Sequence, residues 1–301
     1  ETFQLSASIG LAPKMVGSTT TDLLHSADVA CSFAKSAGRN TVRIFDISSD
    51  DSAEKRQDIL SVHQINNAIS HNLFILYKQD IVSLQQESSG KHFEILLRMK
   101  NAYGEIVSPS SFLPTAERYH LTSKIDCWVV NAVYEYFLMH KSQLADVDRI
   151  AINLSGHSLT DYKLEKFIIE KLTDGQLPPE KIYFQITETA AITNGNRTRL
   201  FNIRALGCNF ALDDFGSGDS SYNNTKEFPV EKIKIDGSYT YNMMENAEVY
   251  AKVKSLCEIA KVANQYVVAK DVVNKQVMQA LTKVGVDYGQ GCYFSKPEEL
   301  I

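Results

Sequence analysis

The chain lacks any long hydrophobic run. Nowhere do the roughly 18 consecutive apolar residues of a membrane-spanning helix occur, so no membrane span is expected. Cysteine is scarce: Cys31, Cys127, Cys208, Cys257 and Cys292 are far apart and form neither a CxxC pair nor a metal-ligand spacing. That pattern excludes a disulfide framework and a thiolate metal site, and fits reduced core thiols in a cytoplasmic protein. Positive charge is not in excess either. Thirty-one Lys and Arg face 36 Asp and Glu, for a formal net charge of -5. A general nucleic-acid binder would carry a basic patch or stripe, so no DNA partner is expected, although a nucleotide as a small ligand stays open. No signal peptide opens the chain, and "ETFQLSASIG" alternates like a strand, so the chain is expected to begin in mid-domain.

What is present is ordinary globular material, 44% hydrophobic and 22% charged over 301 residues. That length allows one large domain, or one domain plus a fragment. Residues 1–46 read as strand, loop, helix, strand, with Leu23, Leu24, Ala27, Ala30 and Ala34 at helical spacing and Gly38 as the stop. The polar stretch "DISSDDSAEK" follows, so 47–55 is read as a linker. From residue 56 onward short apolar runs alternate with helical stretches: "LFILYKQDIV", "HFEILLRM", "RIAINLSG", "KIYFQITET", "NFALDDFG", "KIKIDG", "QYVVAKDV" and "GVDYGQGCYF". Such alternation implies βαβ units and a mainly parallel sheet. About eight units over the remaining length predict an α/β fold, a (β/α)₈ TIM-like barrel.

Polar side chains gather at the carboxyl ends of these runs: Glu94, Asn153, Gln185 and Glu188, Asp213 and Asp214, Lys234 and Asp236, Lys270 and Asp271, Gln290. In a barrel those ends share the face on which active sites are built. The stretch "ALDDFGSG" poses the sharpest question. Asp213 and Asp214 are adjacent carboxylates behind an apolar strand, and neighbouring like charges with poor solvation need a compensating group.

These residues resemble the EAL family, the bacterial cyclic di-GMP phosphodiesterase domain. Glu94-Ile95-Leu96 matches its E-x-L motif with Arg98 following, and "SPSSFLPTAERYHLTSKIDCWVV", "INLSGHSL", "FQITET", "ALDDFGSGDSS", "EKIKIDGSY", "VVAKDVVN" and "GQGCYFSKP" follow in the family's order over 56–301. Residues 1–46 resemble the C-terminal part of a GGDEF (diguanylate cyclase) domain through "SASIGLA" and "ADVACSFAKSAGRNTVRIFD". The GGDEF signature is absent from the sequence, so Lys35 and Arg39, which match phosphate-contacting positions, are not expected to support cyclase activity.

The resemblance implies hydrolysis of one phosphodiester bond of cyclic di-GMP to linear pGpG, with two divalent metals activating water and stabilising the displacement. Family positions are retained at Glu94, Asn153, Asp213, Asp214, Lys234 and Gln290, and Glu188 matches a glutamate that steadies the loop after the aspartates. They are lost at Gln185, Lys270 and Val273, each standing where the family has glutamate. Further departures are Asp80 for proline, Asp219 for tyrosine and Gly237 for arginine. Together the three glutamate replacements shift the local charge by as much as two divalent cations would. The expectation is that the Lys270 ammonium stands where a metal stood and neutralises Glu94, Asp213 and Asp214. A protonated lysine cannot ligate a metal, and Gln185 offers only a neutral oxygen.

No catalytic set is therefore assigned. No metal is expected, with Glu94, Asn153 and Asp213 as residual ligands; Mg²⁺ or Mn²⁺ would be a cofactor only if the chain is an active phosphodiesterase. By resemblance, Gln79, Glu94, Leu96, Arg98, Pro114, Asn153, Asp213, Lys234, Asp236 and Gln290 would line a cyclic di-GMP site. The reading is a degenerate EAL domain serving as a nucleotide receptor or regulatory interaction module. Its alternatives are an active phosphodiesterase and an interaction domain without nucleotide. The expected partners are cyclic di-GMP, a protein the sequence does not name, and, as an alternative, a second copy of the chain. A cytoplasmic location is expected, with attachment to a longer membrane sensor as a variant.

Overall fold

The computed structural model describes residues 6–14, 20–36, 40–45, 53–85, 90–101, 103–192, 196–216 and 230–301. Arg39, the side chain of Lys35, the 47–52 part of the expected linker, and the polar stretch bearing Asp219, Asn223 and Asn224 lie outside the described residues. By packing, the chain divides into two compact units, residues 1–74 with 98–121, and residues 75–97 with 122–301.

In the first unit, β1 (Ile9–Leu11) and β2 (Val42–Ile44) pair in parallel through the crossover helix Thr20–Ser36. Gly10 is required where strand meets helix, because a Cβ there would lie 2.0 Å from the Ala27 carbonyl oxygen. A second helix, Ala53–Ser70, buries Val62, Ile65 and Ala68. Its Asp58 accepts hydrogen bonds from Arg118 Nη1 at 2.5 Å and the Tyr119 hydroxyl at 3.1 Å.

The second unit is built on β3 (Phe74–Ser83), β4 (Lys91–Lys100), β6 (Val147–Asn153), β7 (Ile182–Thr187), β8 (Asn209–Phe215), β9 (Lys232–Ile235), β10 (Tyr266–Ala269) and β11 (Tyr288–Gln290). The intervening short strand β5 (Ile106–Val107) pairs with the far end of β4, and β12 (Glu298–Glu299) with β3. The order β3-β11-β10-β9-β8-β7-β6-β4, with β3 also paired to β4, closes an eight-strand barrel. This is the expected TIM-like α/β fold, with one departure: β3 runs antiparallel to β11, whereas β4 and β6–β11 are mutually parallel. Strands buried on both faces read as continuous apolar runs, and in β7 all residues but the last are buried. Ile81, Ala151, Tyr183 and Val268 pack together in the barrel interior.

The outer helices follow from amphipathic spacing. In Thr122–Met139, Ile125, Val129, Val130, Val133 and Phe137 form the buried stripe. Lys275–Val284 begins with Asn274, whose side chain caps Val277 N–H, and ends on Gly285 in the left-handed conformation. Among the described residues no helix is long and apolar enough to cross a membrane.

Candidate functional site

Side chains alternate across a strand, so residues two apart on each barrel strand enter the interior at successive levels. Towards the carboxyl ends, Asn153 of β6 stands in register with Gln185 of β7, and one level further Thr187 with Asp213 of β8. Lys234 of β9 lies at the centre with only 1% of its surface exposed. Its Nζ donates to Glu94 Oε2 at 2.9 Å and to Gln185 Oε1 at 2.8 Å. Glu94 also accepts from Asn153 Nδ2 at 2.6 Å and Gln290 Nε2 at 2.7 Å. Gln290 reaches Gln79 Oε1 at 3.2 Å, and Gln79 Nε2 donates to the Ser295 carbonyl at 3.0 Å. A buried carboxylate is tolerable only when paired and hydrogen-bonded. Glu94 meets both conditions, receiving one ammonium and two amides.

Above this network stands Lys270, just beyond β10. Its Nζ donates to Asp213 Oδ1 at 3.0 Å and Asp214 Oδ1 at 2.5 Å. Burial pushes the Asp213 carboxyl up, but Lys234 and Lys270 outweigh it and hold the group below the ordinary carboxylate value. Burial likewise opposes the Lys270 ammonium, yet Asp213 and Asp214 hold its pKa above the ordinary lysine value. Asp214 adopts the left-handed conformation (φ 52°) that an L-residue takes at some strain, and its backbone N–H bonds to Asp213 Oδ1 at 2.9 Å.

Sequence reasoning placed Lys270 over all three carboxylates. It meets the two aspartates, but Glu94 belongs to Lys234. The reason is depth: the Lys234 side chain is 1% exposed and that of Lys270 24%, so the two ammonium groups occupy different levels. Lys234 is committed to Glu94 and Gln185. The role of Gln185 as a neutral acceptor for that lysine was not foreseen.

The remaining expected residues lie outside this cluster. Asp236 caps the helix Gly237–Asn242 through Ser238 N–H at 2.9 Å, and hydrogen bonding to Ser238 holds its carboxyl below the ordinary value. Gly237 is packed beneath Asp271, whose Oδ2 would lie 2.0 Å from any Cβ there, so the arginine of the family could not enter without moving that carboxylate. Leu96 is half-buried, Val273 is 46% exposed, and Asp80 is exposed with its backbone N–H on Ser295 Oγ at 2.9 Å. Glu188 is buried, with its Oε1 lacking a hydrogen-bond partner among the described residues. Arg98 and Pro114 belong to the first unit.

A Mg²⁺ or Mn²⁺ ion would need several oxygen ligands. The residues present do not fit one. An ammonium lies between Asp213 and Asp214, Gln185 supplies an amide already taken by Lys234, and among the described residues no three His, Cys, Asp or Glu side chains group as a metal site. What the arrangement offers chemically is a buried hydrogen-bond network centred on Glu94 under a half-exposed cationic bridge.

One level below lies a second polar group that sequence reasoning missed. Lys232 of β9, 5% exposed, places Nζ 4.3 Å from the Tyr183 ring centroid and 4.6 Å from that of Tyr288. Burial pushes its pKa down to about 8. The "KIK" of β9 signalled two inward lysines, but nothing in the sequence distinguished their surroundings.

The EAL domain family model matches residues 62–297, and the chain belongs to that family. It is 36% identical over 281 residues to cyclic di-GMP phosphodiesterase PdeB of Shewanella oneidensis, covering 93% of this chain and 33% of that protein. It is 34% identical over 250 residues to cyclic di-GMP phosphodiesterase PdeF of Escherichia coli, covering 82% and 33%. The chain thus spans about a third of the length of these curated relatives. Among solved structures, the Xanthomonas citri FimX EAL domain in complex with c-diGMP matches with a TM-score of 0.75 at 25% identity, over 83% of this chain and 98% of that one.

Proposed function

We propose that this chain is an EAL module that binds cyclic di-GMP without divalent metal and hydrolyses it inefficiently, passing nucleotide occupancy to a protein partner. In this reading residues 1–46 are the C-terminal fragment of a GGDEF-like domain, 47–55 a linker and 56–301 the EAL barrel, in a cytoplasmic setting. The observation that carries it is the Lys270 bridge to Asp213 and Asp214 at 3.0 and 2.5 Å. A fixed ammonium supplies positive charge where the family uses metal, and a phosphate of the ligand can be met by Lys270 as a point charge. Without an ion to lower the pKa of a bound water, hydrolysis loses its nucleophile.

The names of the relatives favour a second reading, a metal-dependent phosphodiesterase giving pGpG. The experiment that separates them is calorimetric titration of cyclic di-GMP into the protein, once in EDTA and once with Mn²⁺, followed by chromatography for pGpG. Micromolar or tighter binding in EDTA is the expected result. Heat that appears only with Mn²⁺, followed by pGpG, establishes the phosphodiesterase. No heat in either buffer leaves an interaction domain without nucleotide.

A further inference from the structure

Asp126 sits in the first turns of helix Thr122–Met139, buried and with no salt-bridge partner among the described residues. Its Oδ2 accepts the Ser155 backbone N–H at 2.9 Å. Ser155 opens the loop that leaves β6 directly after Asn153 and Leu154. Leu154 N–H is fixed to the Gln185 carbonyl at 2.9 Å, and the Ser158 and Leu159 amides turn back onto the Ser155 carbonyl at 3.0 and 3.2 Å. The far end of the loop is tied to the same helix, Ser123 Oγ donating to Asp161 Oδ2 at 2.6 Å. One helix end therefore holds the loop at two points, and the nearer point lies two residues from the Asn153 side chain that bonds Glu94.

We infer that Asp126 is a positioning residue for the Asn153 arm of the site, and that uptake of a proton on its carboxyl group loosens that arm. A charged acceptor binds a backbone N–H about twice as strongly as a neutral one. Burial raises the Asp126 carboxyl to about 7, against the pull of the Ser155 amide. No cation offsets that burial. The Ser158 hydroxyl beside it has no hydrogen-bond partner within geometric reach among the described residues. The other titratable groups nearby are Cys127 on the same helix, its thiol pushed up to about 11, and Asp161, which faces Lys163 and Arg199. The loop is thus held tightly above neutrality and weakly below it.

The test is the pH dependence of the Ser155 amide resonance in ¹⁵N-labelled protein, which needs no nucleotide. In the native chain it should titrate with a midpoint near 7. Asp126→Asn should abolish that titration while keeping the fold. Where cyclic di-GMP binds, native affinity should be about tenfold tighter at pH 8 than at pH 6, a difference of about 1.4 kcal/mol, and Asp126→Asn should flatten it. A Ser155 amide that is flat across this range, or one that keeps its midpoint in Asp126→Asn, overturns the inference. Loss of nucleotide binding alone would overturn the proposed function and leave the amide result standing.

Discussion

Lys234 and Lys232 are two residues apart on one strand and both enter the barrel, yet their surroundings are opposite. Lys234 meets Glu94 and Gln185 at 2.9 and 2.8 Å. Lys232 lies between two tyrosine rings and has no carboxylate within ion-pair distance among the described residues. A ring quadrupole attracts an ammonium but returns only a fraction of what is lost with water. The upper level therefore offsets the burial of its lysine with a carboxylate, whereas in the lower one burial pushes the lysine pKa down to about 8. The cost of burying a lysine inside this barrel is set by what each level supplies, not by the residue type.

The comparison breaks most sharply at Lys234. Replacing it with Met leaves Glu94 as a buried carboxylate with amide donors and no cation. Removing one partner of a buried pair costs about 3–5 kcal/mol, and urea denaturation of Lys234→Met should read a loss of that size. A loss below about 1 kcal/mol, the level of exposed pairs, would mean that Glu94 is not held as a charge.

The upper level can be sharpened from its rim. The double change Gln185→Glu with Lys270→Glu removes the ammonium from Asp213 and Asp214 and restores two carboxylates. Mn²⁺ affinity measured by calorimetry should rise by at least about tenfold, since hard cations follow the count of oxygen ligands. Unchanged affinity would show that these strand ends do not converge on one ion position.

The barrel itself was legible because eight apolar runs of strand length alternate with helical spacings, and both signals are local. The reversed direction of β3 was not, since strand direction is fixed by pairing across the sheet rather than by pattern. Glu94, Asp213, Lys234 and Lys270 were readable as one cluster because strand-end polarity is a per-residue mark. Which lysine serves which carboxylate was not, because depth depends on side-chain level within the barrel. Asp126 stayed hidden for a similar reason: inside an amphipathic helix, an aspartate that turns inward to hold a loop looks the same as one that faces water.

The smallest effect is expected at Lys232, and its sign is opposite. Its folded pKa is about 8, below the roughly 10.4 of an unfolded lysine. Below the folded value both states hold the proton and the full cost of burying the ammonium is felt. Between the two values the unfolded chain binds more protons, so native stability rises with pH through that window. Lys232→Met removes both the cost and the slope, and its flexible thioether suits the face of an aromatic ring. The variant should be more stable than the native chain by about 1–3 kcal/mol near neutrality, and the gap should close as pH approaches about 10. If denaturation midpoints compared across that range instead show the native chain ahead near neutrality, the two tyrosine rings hold an ammonium as firmly as Glu94 does, and the contrast between the two levels disappears.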